Sequence, residues 1–349
     1  VTTTEAAPAT LPAKLYRADP GQWAKDREAV FANSWQFIGH ENKVTEPGQW
    51  IAETLAGYPI LVIRGQDGVL RSFHNVCRHR AGALTKGAEG RCEGLLVCRY
   101  HGWAYTLDGR LRAARDFGAS ADFDPRDYGL FPVRLEVWRG LIFVALNDEI
   151  APLAQWVEPL ERRLEGRDWS DLVAVDLRQH HIRCNWKTYV ENYLEGYHVP
   201  LVHPALDAEI DAAQYKVTMD GLVALHEAPL RNPTPVYEGL WAWMWPNLGI
   251  NVYGVGLMVE RMCPLGPGET RLDYIYLMPR GVAVAPETMT MSDVVTAEDR
   301  EVVEEVQLNL DAGVYEAGRL SLRHEGAVAA FQTFVRAALC GHPPGRGAD

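Results

Sequence analysis

Two stretches, VCRHRAGAL at 76–84 and VCRYHGWAY at 97–105, carry the pattern on which the fold of this chain turns. The first offers Cys77 and His79, the second Cys98 and His101, with eighteen residues between the two pairs. Each half brings one thiolate and one imidazole. A zinc finger ordinarily places two cysteines in one half and two histidines in the other, so mixed halves are unusual for structural zinc. Around them run short apolar or alternating segments: QWIAETL (49–55), PILVIRG (59–65) and VLRSFHNV (69–76), the last two joined through the turn residues GQDG (65–68). This is the pattern of an antiparallel meander. RLEVWRGLIFVAL (134–146) ends the all-β region near residue 147.

A chain of 349 residues exceeds the usual single-domain size, so two domains are expected. The formal net charge of -12, without a Lys/Arg run, argues against nucleic acid or an anionic membrane as partner. The longest uncharged run, Gly239 to Val259, contains Pro246, Asn247, Asn251 and interior glycines, and reads as paired buried strands rather than a membrane span. VTTTEAAPATLPA at 1–13 lacks a basic segment followed by an apolar block. It is expected to be a flexible tail and not a signal peptide, and the protein to be cytoplasmic. Six cysteines are too few for a disulfide scaffold, and their placement beside histidines points to metal chemistry.

Ahead of the β region, Trp23, Ala24, Val30, Phe31 and Trp35 recur near helical spacing. Beyond it, PLAQWVEPLERRLEG (152–166) reads as a connecting helix, LVAVDLRQHHIRC (172–184) as a strand, and a helix starts near Asn185. Further strands are expected from about 215 to 280, and helices at 296–310 and 325–340. The second half is therefore an antiparallel sheet with packed helices, and the chain as a whole α+β. GHPPGRGAD at the end is expected to be disordered.

The stretch ENYLEGYHVPLVHP (191–204) holds a second set of metal-binding side chains. On a helix Glu195 and His198 share a face, whereas His198 and His203, five apart, do not. Pro200 disfavours helix at Val199 and can bend the chain so that His203 returns to the same point. Two histidines with one carboxylate and open positions make the facial triad of non-haem Fe(II) oxygenases. Glu195 is one candidate for the carboxylate. Asp299 is another, because it falls in line with the apolar stripe Val302, Val303, Val306 and Leu310, where a carboxylate needs a partner. Glu298, Glu301 and Glu305 fall away from that stripe and are expected in solvent.

The mixed Cys/His halves suit a Rieske [2Fe-2S] cluster, in which two histidines replace two cysteines on one iron. CRHRAG and CRYHGWAYTLDGRL resemble the two halves of the Rieske signature. NWKTYVENYLEGYHVPLVHP (185–204) and AEDREVVEEVQ (297–307) are similar to the mononuclear iron segments of Rieske non-haem iron oxygenases, the catalytic (alpha) subunits of the ring-hydroxylating oxygenase family. The resemblance implies the cluster on Cys77, His79, Cys98 and His101, and Fe(II) on His198, His203 and Asp299. It also implies that Glu195, where the family more often has Asp, bridges to His101 of a neighbouring subunit. The spacer with GAEG (87–90) is slightly longer than usual and contains Cys92, read as a bystander.

The domains implied are a tail and helix at 1–36, a Rieske domain at 37–150, a helix-grip-like catalytic domain at 151–340 and a tail at 341–349. Further implications are use of O2, electrons from NAD(P)H through a separate reductase with or without a ferredoxin, and a homotrimer. Motif details look closest to the choline, glycine betaine and carnitine monooxygenase branch, which implies hydroxylation or oxidative demethylation of a quaternary amine. Trp241, Trp243 and Trp245 alternate and would share one face of a strand, as an aromatic surface for such a cation or as core. Aromatic ring dihydroxylation is the alternative reaction, and an electron-transfer or binding protein without oxygenase activity is the alternative class. His40, His74, His180, His181, His226, His324 and His342 are expected to be ordinary surface or core residues.

Overall fold

The computed structural model describes residues 6–231 and 238–344. Residues 1–5 of the expected N-terminal tail, 232–237 of the expected strand region and 345–349 of the expected C-terminal tail lie outside them. The chain divides into a unit from Ala32 to Leu153 and a second unit that joins the residues from Ala154 onward to those up to Phe31.

The first unit is built on a seven-stranded antiparallel sheet. Its strands lie in the order Gln36–His40, Leu141–Ala145, Pro132–Trp138, Leu70–His74, Tyr58–Arg64, Gln49–Leu55, Glu89–Arg91. Alternation along Tyr58–Arg64 divides its apolar residues between two cores. Ile60 and Val62 join Ile38, Ile51 and Val144, whereas Leu61 and Ile63 join Cys77, Cys98, Trp103 and Tyr105. The second core is thus the floor of the two Cys/His loops. A smaller sheet, Leu95–Val97, Ala104–Thr106 and Leu111–Ala113, carries the second loop.

The second unit holds another seven-stranded antiparallel sheet, in the order Leu172–Ile182, Glu269–Pro279, Leu257–Gly266, Leu248–Val252, Leu240–Met244, Val223–Glu227, Lys216–Asp220. The uncharged run from Gly239 supplies the paired strands Leu240–Met244 and Leu248–Val252. Asn185 caps the helix Trp186–Tyr193 by accepting from the Lys187 amide, and this helix packs on the strands Leu257–Gly266 and Glu269–Pro279. The helix carrying Asp299 spans Pro286–Asp311 and so begins well before 296. Pro286 at its first position is a start signal, but the following Thr- and Ser-rich turns hide the helical periodicity. The last helix is Gly326–Leu339. The chain is α+β, with an all-β N-terminal domain and an antiparallel sheet with packed helices after it. Among the described residues, no helix is long and apolar enough to cross a membrane.

One expectation is corrected. The N-terminal stretch is not a loose tail where it is described: Leu11 and Ala13 are buried, the Leu11 amide donates to Gln332 Oε1 at 2.8 Å, and Ala9 bridges Arg319. Leu11 and Tyr16 supply apolar surface that a tail of Ala, Thr and Pro conceals from a composition reading. The helix Pro20–Ala29, shorter than the 19–35 periodicity suggests, belongs to the same unit. Its buried Asp26 accepts from Trp186 Nε1 at 3.0 Å and pairs with the fully buried Lys187.

Candidate metal centres

The two Cys/His loops are copies of one another in their hydrogen bonding. The Cys77 amide donates to Gly82 O at 2.8 Å and the Cys98 amide to Trp103 O at 2.8 Å. Ala81 N returns to Cys77 O at 3.0 Å and Gly102 N to Cys98 O at 2.9 Å. Each loop therefore closes on its own cysteine and projects its histidine toward the other loop, with ring centroids of His79 and His101 4.6 Å apart. Gly102 takes a φ of +76°, a region that glycine enters without penalty. A Cβ on Gly82 would stand 3.1 Å from Cys98 Sγ, so the small residue permits the loops to approach. The Tyr105 hydroxyl lies 3.2 Å from Cys77 Sγ and accepts from the Arg78 amide at 3.0 Å, while His79 stacks on Trp103.

Both cysteines are buried, and burial pushes the Cys77 thiol above the usual range, so its thiolate calls for a cation beside it. The Nδ1 atoms of His79 and His101 are shielded and have no hydrogen-bond partner among the described residues, as suits ligating nitrogens. Four such donors fit a [2Fe-2S] cluster. Cys92 stands apart, its Sγ 3.6 Å from Gly48 O.

In the second unit the helix Trp186–Tyr193 ends before His198, and the single turn Val199–Val202 begins just after it. Contrary to the expectation from sequence, Pro200 thus does not break a helix between the histidines. It sits in the first turn of a new one, where its missing N–H is harmless. The turn of chain from 194 to 198 is held by Glu195, whose carboxylate accepts from the amides of Tyr197 and His198. His198 Nε2 and His203 Nε2 come to 3.2 Å of each other, and Asp299 Oδ1 lies 3.0 Å from the latter and 3.6 Å from the former. His198, His203 and Asp299 can place one ligand atom each within 4.8 Å of the others.

Both Nδ1 atoms are taken by carboxylates: His198 by Glu195 Oε1 at 2.5 Å, His203 by Glu298 Oε2 at 2.7 Å. This keeps the Nδ1 protons in place and turns both Nε2 lone pairs toward Asp299, the second-layer support typical of metal-binding histidines. Burial works against a charge on His203, but Asp299 and Glu298 outweigh it and raise its pKa. A metal cation would compete with that proton. Glu298, expected in solvent, is therefore corrected: its own face of the helix is off the apolar stripe, yet the turn carrying His203 reaches it. Asn192 Nδ2 donates to Asp299 Oδ1 at 2.7 Å, a contact no sequence spacing announces.

The triad opens on a cavity of about 120 Å³ lined by Tyr189, Tyr193, Trp241, Tyr253, Met258 and Glu260, among others. Of the three tryptophans only Trp241 lines it. Trp243 and Trp245 are fully buried against Phe331 of the last helix, at centroid distances of 5.8 Å, so they are core. Strand alternation puts side chains on a common face but does not decide what covers each position. His226 also needs correction: it lines the cavity, shares Nδ1 with the Tyr215 hydroxyl at 2.9 Å, and has no partner at Nε2 among the described residues. Burial brings its pKa down to about 3.

Two family models match, the Rieske [2Fe-2S] domain over residues 34–124 and the ring hydroxylating alpha subunit (catalytic domain) over 169–341. The chain is 31% identical over 334 residues to the carnitine monooxygenase oxygenase subunit of Escherichia coli (strain K12), covering 91% of this chain and 89% of that protein. It is 30% identical over 338 residues to the chloroplastic choline monooxygenase of Arabidopsis thaliana, covering 90% of this chain and 79% of that protein. A solved quaternary ammonium Rieske monooxygenase, whose structure bears on carnitine oxidation and inter-subunit electron transfer, superposes with a TM-score of 0.85 at 25% identity, covering 95% of this chain and 96% of that one. Naphthalene 1,2-dioxygenase shares the fold at 18% identity and a TM-score of 0.75, covering 95% and 92%. The chain belongs to the Rieske non-haem iron oxygenases as a ring-hydroxylating-type alpha subunit, an oxidoreductase that uses a [2Fe-2S] cluster, a mononuclear iron and O2.

Proposed function

We propose that the chain is the oxygenase component of a monooxygenase for a small quaternary ammonium compound. In this reading Cys77, His79, Cys98 and His101 hold the cluster, and His198, His203 and Asp299 hold the iron. The observation that carries it is the convergence of two Nε2 atoms and one carboxylate oxygen at the mouth of a small, aromatic-lined cavity. When bound, the cluster supplies electrons and the iron a site for O2 activation.

The remaining work belongs to the chain. Glu195 and Glu298 hold protons on the two Nδ1 atoms and fix the rings. The aromatic walls exclude water and position the substrate beside the triad. A cavity of about 120 Å³ is on the scale of one that accepts benzene, so a compact head group fits it better than a multi-ring arene. The names of the relatives agree with a quaternary amine.

The reading also includes a homotrimer in which Glu195 of one subunit approaches His101 of the next, a separate NAD(P)H-dependent reductase with or without a ferredoxin, and a cytoplasmic location. No nucleotide-binding glycine fingerprint is apparent in the sequence to replace that reductase. The test is anaerobic reduction followed by a pulse of heavy-oxygen gas with a pool of quaternary amines and a pool of aromatic acids and ethers. Label in an amine-derived product, or formaldehyde released from it, is expected. Label in a ring product alone overturns the substrate class and assigns an aromatic oxygenase.

A further inference from the structure

We propose that Glu260 is the residue that recognises the positive charge of the substrate, taking a quaternary ammonium head group against its carboxylate inside the cavity. This rests on the substrate class proposed above and names the group that would enforce it.

Glu260 lies in the middle of the strand Leu257–Gly266, opposite Gly249 on one side and Tyr274 on the other. It is 3% exposed and lines the same cavity as His198, His203 and Asp299. Two other buried carboxylates of this unit face cations: Asp273 meets Arg261 at 2.5 Å and Arg271 at 2.7 Å, and Asp26 meets Lys187. Among the described residues Glu260 has no such partner. Among the described residues, no lysine or arginine lines the cavity and Glu260 Oε1 has no hydrogen-bond partner. Ionising a buried carboxylate with no cation beside it is costly, and here that group stands at a ligand cavity.

The surroundings select the kind of cation. A quaternary ammonium has no N–H to donate, so it is held by charge and by aromatic faces rather than by directed hydrogen bonds. Trp241, Tyr193 and Tyr253 supply faces around the same cavity. Gly249, across the strand pair from Glu260, leaves room for Tyr193: a Cβ there would come within 2.9 Å of the tyrosine hydroxyl. Burial pushes the Glu260 carboxyl up to about 8, and Asp299 adds to the rise while Tyr189 and Asn251 oppose it. A bound cation would favour the ionised form of this carboxylate.

The test is calorimetric binding to the protein with choline, glycine betaine and L-carnitine, each beside the isostere in which an uncharged tert-butyl group replaces trimethylammonium. The wild type is expected to prefer at least one cation over its isostere by about tenfold or more. Glu260→Gln is expected to abolish that preference while leaving affinity for the isostere and the cluster absorption unchanged. A wild type with no preference for any cation overturns the substrate class itself. A preference that survives in Glu260→Gln overturns the role of Glu260 and leaves the substrate class standing. Should Glu260→Gln fail to fold, Glu260→Asp is expected to keep a preference at weaker affinity; equal loss for cation and isostere then overturns the role.

Discussion

The two candidate metal centres differ in how far along the chain their parts are gathered. The four Cys/His donors of the first unit come from two short loops, each closed by hydrogen bonds to its own cysteine and resting on one core. The triad of the second unit takes two donors from the chain after one helix and the third from a helix about a hundred residues later, and each is held by a further polar side chain: Glu195, Glu298 or Asn192. The first is local and repetitive. The second exists only when a sheet, a linking turn and a long helix are in register, so it has more ways to be disturbed from a distance.

The sharpest way to break this comparison is to remove one donor from each centre. Asp299→Ala should abolish turnover and the mononuclear iron while leaving the cluster absorption and labile sulfide intact, and Cys98→Ser should abolish turnover and the cluster absorption while leaving the mononuclear iron in place. Retained turnover in Asp299→Ala would remove it from the ligand set. The outer carboxylates come next: Glu298→Gln and Glu195→Gln should each lower iron affinity or activity by about 10- to 100-fold, read by iron titration and turnover. An effect from Glu195 alone would mean that the Glu298 contact is incidental.

A smaller effect separates the tryptophans. Trp241→Ala should weaken binding of a quaternary amine by about 0.5–2 kcal/mol with little change in melting temperature. Trp243→Ala should instead cost about 3–5 kcal/mol of stability, seen in denaturant unfolding. Equal stability losses would put Trp241 in the core as well.

A pH-dependent effect concerns the docked N-terminus. Burial raises the Glu191 carboxyl from 4.5 to about 7, against hydrogen bonds from Tyr16 and Gln332. Its folded-state value lies above the unfolded one, so its contribution to stability is complete below about pH 4.5 and is lost as pH rises through about 7. Glu191→Gln should flatten the stability profile in that window, by on the order of 1–3 kcal/mol. An unchanged profile would show that the group titrates normally.

Much of this was legible before any coordinates. Cys77, His79, Cys98 and His101 announce themselves because a loop motif is contiguous and its donor types are rare together. The antiparallel strands show in short alternating runs, and Asp299 stands out as a carboxylate on an apolar stripe. Less legible residues share a feature: their partner is remote. Glu298 looked solvated because helical periodicity describes its own helix and not the turn that reaches it. His226 and Glu260 sit on strands whose apolar neighbours suggest plain core, and a lone acid directly after the uncharged run ending at Val259 was the available signal. Leu11 and Ala13 were masked by tail-like composition.

The amino-acid order by itself determined the donor inventory, the strand and helix classes and the two-domain plan, since these rest on backbone propensity, side-chain period and the chemistry of neighbouring residues. Tertiary structure alone decided which carboxylate completes the triad's support, which tryptophan faces the cavity and which buried acid lacks a cation. Those outcomes depend on distances between segments far apart in sequence, and a spacing pattern carries information only over the few residues that share one element.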